Sequence, residues 1–319
     1  MPRIPRIRLA AFLAAFAFLP AYSHAEDAGA GRISFASYNV ENYLEMPRHV
    51  GGHLRSRSGK PETERNAVVS MIRDLSPDIL GIMEIGDEPQ IDDLIRRLKA
   101  AGMDYPHRET VQGGDSERHL LLLSRYPIIA RHSLGDIPLS VKGMTLHSPR
   151  GLLDVTVQTP SGECFRVICV HLKARVGVPE YDEAALRQAE ADFLGSRVRS
   201  ILKDSSEAGL VVMGDFNATR NGTEWKKITG DVSHPGPLRM IPLTDDRGES
   251  WTEYWPAADI YSRIDYILTT PSLAERVDLS GSGVARPACW SQASDHCPVH
   301  ITLTAPRKTN PSPSPTSSR

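Results

Sequence analysis

Ser294-Asp295-His296-Cys297-Pro298-Val299 and the earlier stretch Arg263-Ile264-Asp265-Tyr266-Ile267-Leu268 decide the fold of this chain. Each places an acid or an imidazole at the end of an apolar run, and Gly214-Asp215-Phe216-Asn217 and Val170-His171-Leu172 do the same upstream. A sheet presents polar side chains to a cleft at its strand ends. Several strand ends that carry Asp, Asn or His together indicate hydrolysis of a phosphate ester.

Such chemistry needs a cation on the phosphate, a base for water and donors for the developing charge. Magnesium binds through carboxylate and amide oxygens. Glu84 follows the apolar run 78–83 and Asn39 follows the run 33–38, so we expect both near a metal. A turn-capping role is the alternative for each.

The remaining strand ends supply candidate catalytic groups. Asp215 and Asn217 are two residues apart, which places both on one side of an extended segment, where they could orient water and hold a phosphate oxygen. An Asx turn is the alternative. His296 is the expected general base, His171 a donor to the phosphoryl oxygen, and Arg150 a bidentate phosphate contact or a surface ion pair.

Apolar, β-branched runs outnumber helical patterns, and neighbouring runs often lack a helix between them. We therefore expect largely antiparallel sheets with helices outside, in one domain, because no Pro/Gly/Ser linker divides residues 31–304. Helical periodicity covers 62–75, 90–101 and 182–202, and strands are predicted at 33–38, 78–83, 119–123, 152–157, 165–170, 210–213, 264–268 and 299–303. The stretch 222–262 is expected to be a long ordered loop region.

The two chain ends differ in composition from this domain. Residues 1–25 read as a signal peptide, with arginines before an apolar run that is too short to span a bilayer and a small-residue cleavage site; a membrane anchor is the alternative. We expect a domain at 26–304 and a disordered Pro/Ser-rich tail at 305–319. The protein would then be periplasmic or secreted.

Removal of residues 1–25 takes away three arginines and no acid, so the formal charge changes from -2 to -5. Such a chain does not attract nucleic acid by its global charge. A local basic surface is expected at 48–65, with a solvated loop as the alternative. Of the four cysteines, Cys289 and Cys297 are the pair for which a disulfide is expected.

The chain resembles the endonuclease/exonuclease/phosphatase superfamily, the deoxyribonuclease I-like fold, as an exported bacterial-type member. The resemblance covers about residues 31–304. Eight ordered stretches carry it: 37–42, 81–84, 123–128, 150–153, 170–173, 214–217, 264–268 and 294–299. It implies an α/β fold of the α+β type, a four-layer sandwich of two packed, mostly antiparallel β-sheets flanked by helices. It also implies Mg²⁺, with Mn²⁺ or Ca²⁺ as a substitute or second ion.

The resemblance also implies roles for the metal and base residues. Glu84 would bind the magnesium with Asn39 beside it, and Asp295 would lie toward the metal. Asp265 would pair with His296.

The other implied roles concern water and phosphate. Asp215 and Asn217 would position them, and Glu117 would be a partner for His171. His171 itself stands where the abasic-site endonuclease branch typically has an asparagine, and the stretch 112–118 lacks a tyrosine that nucleases often carry.

The expected activity is hydrolysis of a phosphodiester by in-line attack of water, with nucleic acid as the leading substrate. A lipid phosphodiesterase, for which Trp251 and Trp255 are the candidate apolar rim, and an inositol-phosphate-type phosphomonoesterase are alternatives, and an inactive binding module is a weaker one. A monomer without a stable protein partner is expected.

Overall fold

The predicted strands and helices are present in the computed structural model, which describes residues 31–204, 209–230 and 233–306. The predicted signal peptide and residues 307–319 of the predicted tail lie outside the described residues. The described helices are α1 (Glu62–Leu75), α2 (Glu88–Ala100), α3 (Glu183–Asp204), α4 (Pro271–Ala274) and α5 (Trp290–Ala293), with 3₁₀ turns at Thr223–Lys227 and Leu279–Gly281. The described strands are β1 (Ile33–Tyr43), β2 (Met46–Val50), β3 (His53–Ser58), β4 (Ile79–Ile85), β5 (His107–Val111), β6 (His119–Ser124), β7 (Ile128–Arg131), β8 (Pro138–Val141), β9 (Met144–His147), β10 (Leu153–Gln158), β11 (Cys164–His171), β12 (Gly209–Asp215), β13 (Arg239–Met240), β14 (Glu253–Trp255), β15 (Ile260–Ser262), β16 (Asp265–Thr269), β17 (Gly283–Val284) and β18 (Val299–Leu303).

Two six-stranded sheets form the centre of the fold. The first has the order β17-β18-β1-β4-β6-β5 and the second has the order β13-β16-β12-β11-β10-β7. The pairs β1–β4 and β11–β12 are parallel, and the other pairs in both sheets are antiparallel. Each sheet is therefore mixed but mostly antiparallel, which confirms the predicted fold class.

Apolar side chains on alternate strand positions give each sheet two buried faces. Between the sheets, Phe35 of the first packs edge-to-face on Phe165 of the second, with ring centroids 5.5 Å apart. Helix α3 covers the outer face of the second sheet, and α1 and α2 cover that of the first. The result is the four-layer sandwich. None of the described helices is both long and apolar enough to span a bilayer.

The basic stretch at 48–65 contains regular secondary structure and is not a solvated loop. Strands β2 and β3 pair as an antiparallel hairpin, and α1 begins at Glu62. The hairpin escaped sequence analysis because neither of its faces is buried, so its strands carry no alternation of apolar and polar residues.

The expected disulfide between Cys289 and Cys297 is absent, and all four cysteines are free thiols. Cys297 is buried in the core between the sheets, whereas Cys289, the residue immediately before α5, is exposed. The two side chains therefore lie in different environments despite their closeness in sequence.

Candidate active site

The predicted polar residues come together at one edge of the two facing sheets. His171 and Asp215 are the last residues of the parallel strands β11 and β12, where they are register partners, and Asp215 is also paired with Asp265, the first residue of β16. Asn39 in β1 and Glu84 in β4 come from the other sheet. Asn39 Nδ2 donates to Asp215 Oδ2 at 3.1 Å, so a hydrogen bond joins the two sheets across the site.

A buried Asp–His pair forms the centre of the site. His296 Nδ1 lies 2.8 Å from Asp265 Oδ2, and both residues are almost fully buried. Burial by itself would lower the pKa of His296, but the carboxylates of Asp265, Asp295 and Asp215 raise it well above its ordinary value. A carboxylate on Nδ1 fixes the tautomer and leaves Nε2 to accept or donate a proton. This arrangement fits a general base or acid.

Asp215 lies between this pair and the loop that follows β12. Its Oδ1 accepts from the backbone N–H of Asn217 at 2.8 Å, and its Oδ2 is 3.9 Å from His296 Nε2. Burial raises the pKa of Asp215. Asn217 has a left-handed φ of 48° and gives one amide hydrogen to the carbonyl of Leu172 at 3.0 Å, which leaves the other hydrogen for a ligand. The predicted Asx turn is thus part of the site rather than an alternative to it.

His171 faces the same carboxylates from the neighbouring strand. Its Nε2 is 3.5 Å from Asp215 Oδ2 and 3.9 Å from Glu84 Oε1. Burial, and next the nearby Arg150 guanidinium, lower the pKa of His171 well below its ordinary value. A neutral imidazole carries one N–H, which suits donation to a phosphoryl oxygen.

One expected contact is absent, and Arg150, an expected phosphate-binding residue, has a partner within the protein. The contact between His171 and Glu117 is absent, because His171 Nδ1 is buried without a hydrogen-bond partner, whereas the exposed Glu117 carboxylate is 3.7 Å from Arg118. Arg150 Nη1 donates to Asp115 Oδ2 at 2.6 Å in a mostly buried ion pair, and its contact with a phosphate stays a prediction. Sequence spacing could not reveal Asp115 as the partner, because the two residues belong to different loops.

One buried group has the spacing of a metal site. Asp215, Asp265 and His296 each offer a ligand atom, and these atoms lie within 4.8 Å of one another. The buried Oδ1 of Asp265 has no hydrogen-bond partner. However, His296 can offer only a nitrogen, its Nδ1 already bonds to Asp265, and Mg²⁺ prefers oxygen ligands. The donor set therefore fits a proton-transfer group better than a magnesium site.

A second group of carboxylates supplies only oxygen atoms. Burial raises the pKa of Asp295, and the nearby Glu84 carboxylate raises it further. Burial also raises the pKa of Glu41, and the carboxylates of Asp295 and Glu84 add to this shift. Asn39 Nδ2 is 3.3 Å from Glu84 Oε1. A cation among these acids would relieve their mutual repulsion, and hard oxygen ligands suit Mg²⁺. The residues present fit the implied ion.

Three further residues of this region were not predicted from the sequence. Glu41 lies in the quoted stretch 37–42 but received no role, although an acid two residues after Asn39 was a usable signal. Ser294 Oγ donates to the Asn39 carbonyl at 2.8 Å and accepts from the His296 N–H at 3.0 Å. Glu190 of α3 accepts from the Lys173 N–H at 2.7 Å, a contact that no local pattern indicated.

A family model described as "Endonuclease/Exonuclease/phosphatase family" matches residues 36–296, which include every predicted site residue. The chain belongs to this endonuclease/exonuclease/phosphatase family. It is accordingly a phosphoesterase of that family with a buried Asp/His cluster. None of the curated proteins matches its sequence.

Solved structures share the fold at low sequence identity. An endonuclease/exonuclease/phosphatase family protein from Bacteroides thetaiotaomicron has a TM-score of 0.59 and 17% identity, with 87% of this chain and 96% of that chain covered. Truncated TDP2 of Caenorhabditis elegans has a TM-score of 0.55 and 16% identity, with 86% of this chain and 98% of that chain covered. The human Nocturnin catalytic domain with bound sulfate has a TM-score of 0.55 and 16% identity, with 86% of this chain and 94% of that chain covered. These likenesses establish the fold alone.

Proposed function

We propose that this protein is a magnesium-dependent phosphodiesterase that cleaves a nucleic-acid backbone by direct attack of water. The observation that carries the proposal is the buried hydrogen bond between His296 and Asp265, placed beside Asp215 and Asn217. Among the described residues, the hydrogen-bond neighbour of His296 Nε2 is Asn39, at 3.5 Å, rather than a Ser or Cys. Water is therefore the attacking group.

Each residue of the site has a separate role in the proposed reaction. His296 holds or moves a proton at Nε2 while Asp265 stabilises the imidazolium. Asp215 orients the attacking water, and the free amide hydrogen of Asn217 contacts a phosphate oxygen. His171, as a neutral donor, stabilises charge that develops on another phosphate oxygen.

We assign magnesium to Glu84, Asp295 and Asn39, with Glu41 as an additional carboxylate. When bound, the ion supplies positive charge that polarises the phosphoryl oxygen and offsets the charge of the transition state. Mn²⁺ or Ca²⁺, which also prefer oxygen ligands, would substitute or act as a second ion.

The hairpin of β2 and β3 supports nucleic acid as the substrate. It carries Arg48, Arg55 and Arg57 and no Asp or Glu, and Arg55 has no hydrogen bond or ion pair among the described residues. Arg48 Nη2 donates at 2.7 Å to the carbonyl of Asn42, whose N–H contacts Glu84. A basic element is thus attached directly to the site and would contact a phosphate backbone.

A lipid phosphodiesterase is the second candidate, because the hairpin of β14 and β15 exposes apolar surface. Trp255 is 53%, Ile260 46% and Tyr261 54% exposed. This hairpin adjoins the site, since Glu253 of β14 forms a β-bridge with His296. Clustered exposed aromatic and aliphatic side chains are typical of a surface that meets a bilayer.

A plasmid-nicking assay separates the two candidates. Purified protein is incubated with supercoiled plasmid and magnesium, alongside EDTA, His296→Ala and the exposed control His132→Ala. We expect nicking that EDTA abolishes, that His296→Ala reduces by about 100-fold or more, and that His132→Ala retains. An intact plasmid, combined with metal-dependent hydrolysis of sphingomyelin vesicles by the same protein, would replace the nuclease by the lipid enzyme.

We also propose that the protein is exported, on the basis of the charged and apolar pattern of residues 1–25. Expression of the full chain in a bacterial host, followed by amino-terminal sequencing of periplasmic protein, tests this. Recovery of only the uncleaved chain from the cytoplasm would contradict it.

A further inference from the structure

A basic cavity is lined by none of the residues assigned to the candidate active site. Its volume is 280 Å³, and Arg220, Lys226 and Arg263 line it together with seven uncharged residues. No carboxylate is among its described lining residues, although the chain as a whole carries slightly more acids than Lys and Arg. Three cations that share one cavity without a counter-charge require an explanation.

Arg263 is the most informative of the three. It stacks over the Tyr266 ring, 4.9 Å from the centroid, and donates from Nη2 to the Ile241 carbonyl at 3.0 Å. Its Nε is buried and has no hydrogen-bond partner. Burial lowers the pKa of Arg263, and the nearby Arg220 lowers it further. A partly desolvated guanidinium without a carboxylate is costly unless an anion offsets it.

Arg220 is held by a tight turn rather than by a mobile loop. The Gly222 N–H donates to the Thr219 carbonyl at 2.8 Å, and Trp225 Nε1 donates to the same oxygen at 2.8 Å. Arg220 and Lys226 are exposed and make no hydrogen bond or ion pair among the described residues. Their charged groups are available to a ligand.

We propose that this cavity is a second anion site that binds a phosphate group, gripped by Arg220, Arg263 and Lys226. The planar guanidinium fork matches two phosphate oxygens, and the lysine adds a point charge. The cavity has room for a phosphate with ordered water, since one water occupies about 30 Å³.

The position of the site along the chain relates it to the catalytic centre. Arg220 is three residues after Asn217, and Arg263 is two residues before Asp265. An extended chain spans at most about 3.6 Å per residue. The Cα atoms of Arg220 and Asn217 therefore lie within about 11 Å of each other, and those of Arg263 and Asp265 lie within about 7 Å of each other. The inference that the phosphate belongs to the substrate's own backbone, beside the scissile bond, rests on the proposed function. A free phosphate ion is the other source of the same chemistry.

Calorimetric titration with inorganic phosphate, in metal-free buffer without other polyvalent anions, tests the site itself. We expect Arg220→Gln, and separately Arg263→Gln, to weaken phosphate binding at least about 10-fold. Arg247→Gln, which removes an exposed arginine outside the cavity, should leave binding unchanged. Phosphate binding that is unaffected in a folded Arg220→Gln protein would overturn the proposal, because a phosphate held at the catalytic centre would give that result.

Kinetics identify the source of the phosphate. If it belongs to the substrate, Arg220→Gln raises KM for a single-stranded oligonucleotide about 10-fold, with kcat and both constants for bis(p-nitrophenyl) phosphate unchanged. An unchanged KM for the oligonucleotide, together with lost phosphate binding, assigns the site to free phosphate and refutes the backbone role. If the protein cleaves no nucleic acid at all, the proposed function fails, while the titration still decides whether the cavity binds phosphate.

Discussion

Replacing Glu190 by Gln tests how α3 supports the site. The Glu190 carboxylate is buried and bridges two loops: Oε1 accepts from Ser148 Oγ at 2.7 Å, and Oε2 accepts from the Lys173 N–H at 2.7 Å. The first loop continues to Arg150 and the second begins after His171. Glu190 is thus a positioning residue that connects both loops to the helix.

Burial raises the pKa of Glu190 from 4.5 to about 7, despite the hydrogen bonds from Ser148 and Lys173 and the charges of Arg150 and Arg187, which lower it. This shift corresponds to about 3 kcal/mol. Between these two pH values the folded protein keeps the proton that the unfolded chain releases. The contribution of Glu190 to stability is therefore fully present below pH 4.5 and is lost as the pH rises to about 7.

Gln cannot titrate and has a single acceptor oxygen, so it loses one of the two hydrogen bonds at every pH, at a cost of about 1 kcal/mol. The free energy of unfolding of the wild type minus that of Glu190→Gln should therefore decrease by about 2–3 kcal/mol from about pH 5 to pH 8. Urea unfolding followed by circular dichroism measures both proteins, and Glu183→Gln in the first turn of the same helix is the control. A difference that stays constant with pH would refute the reasoning.

Two further predictions concern the centre and its support. Asp265→Asn should reduce turnover of a phosphodiester by about 100-fold or more, because His296 loses the carboxylate that fixes its tautomer. The matched control is another buried aspartate, Asp154, which forms ion pairs on the second sheet away from the site. Asp154→Asn should lower the melting temperature but retain turnover. Wild-type turnover in Asp265→Asn would contradict the assigned pair. Gly214→Ala should destabilise the fold by about 1–3 kcal/mol in urea unfolding, since φ is 149° and a Cβ would lie 1.9 Å from the Val170 carbonyl oxygen. Unchanged stability would show that β12 can shift.

The main helices and the central strands were predictable because their signals are local. Helix α1 occupies the predicted range 62–75, and α3 begins one residue from the predicted start. Each predicted strand is present, with bounds that differ by a few residues. The missed strands are short or exposed, and β2, β3 and β14 lack a buried face that would impose a period of two.

The candidate site was predictable in its residues but not in its contacts. Strand ends and the family resemblance pointed to Asp215, Asp265 and His296, which the structure brings within 4.8 Å of one another. Nothing local indicated that Arg150 pairs with Asp115 or that Glu117 lies apart from His171. Side-chain partners across separate loops depend on how the two sheets face each other.

By itself, the sequence determined the main helices, the central strands, the family and the polar groups at the strand ends, because apolar periodicity and short motifs are properties of neighbouring residues. The tertiary structure alone decided the register that pairs Asp215 with both His171 and Asp265. It also decided the burial that shifts the pKa of Glu190 and the gathering of two arginines and a lysine around a cavity without a carboxylate. These properties depend on distances between residues that are far apart in sequence, and only the packing of the two sheets and their helices sets such distances.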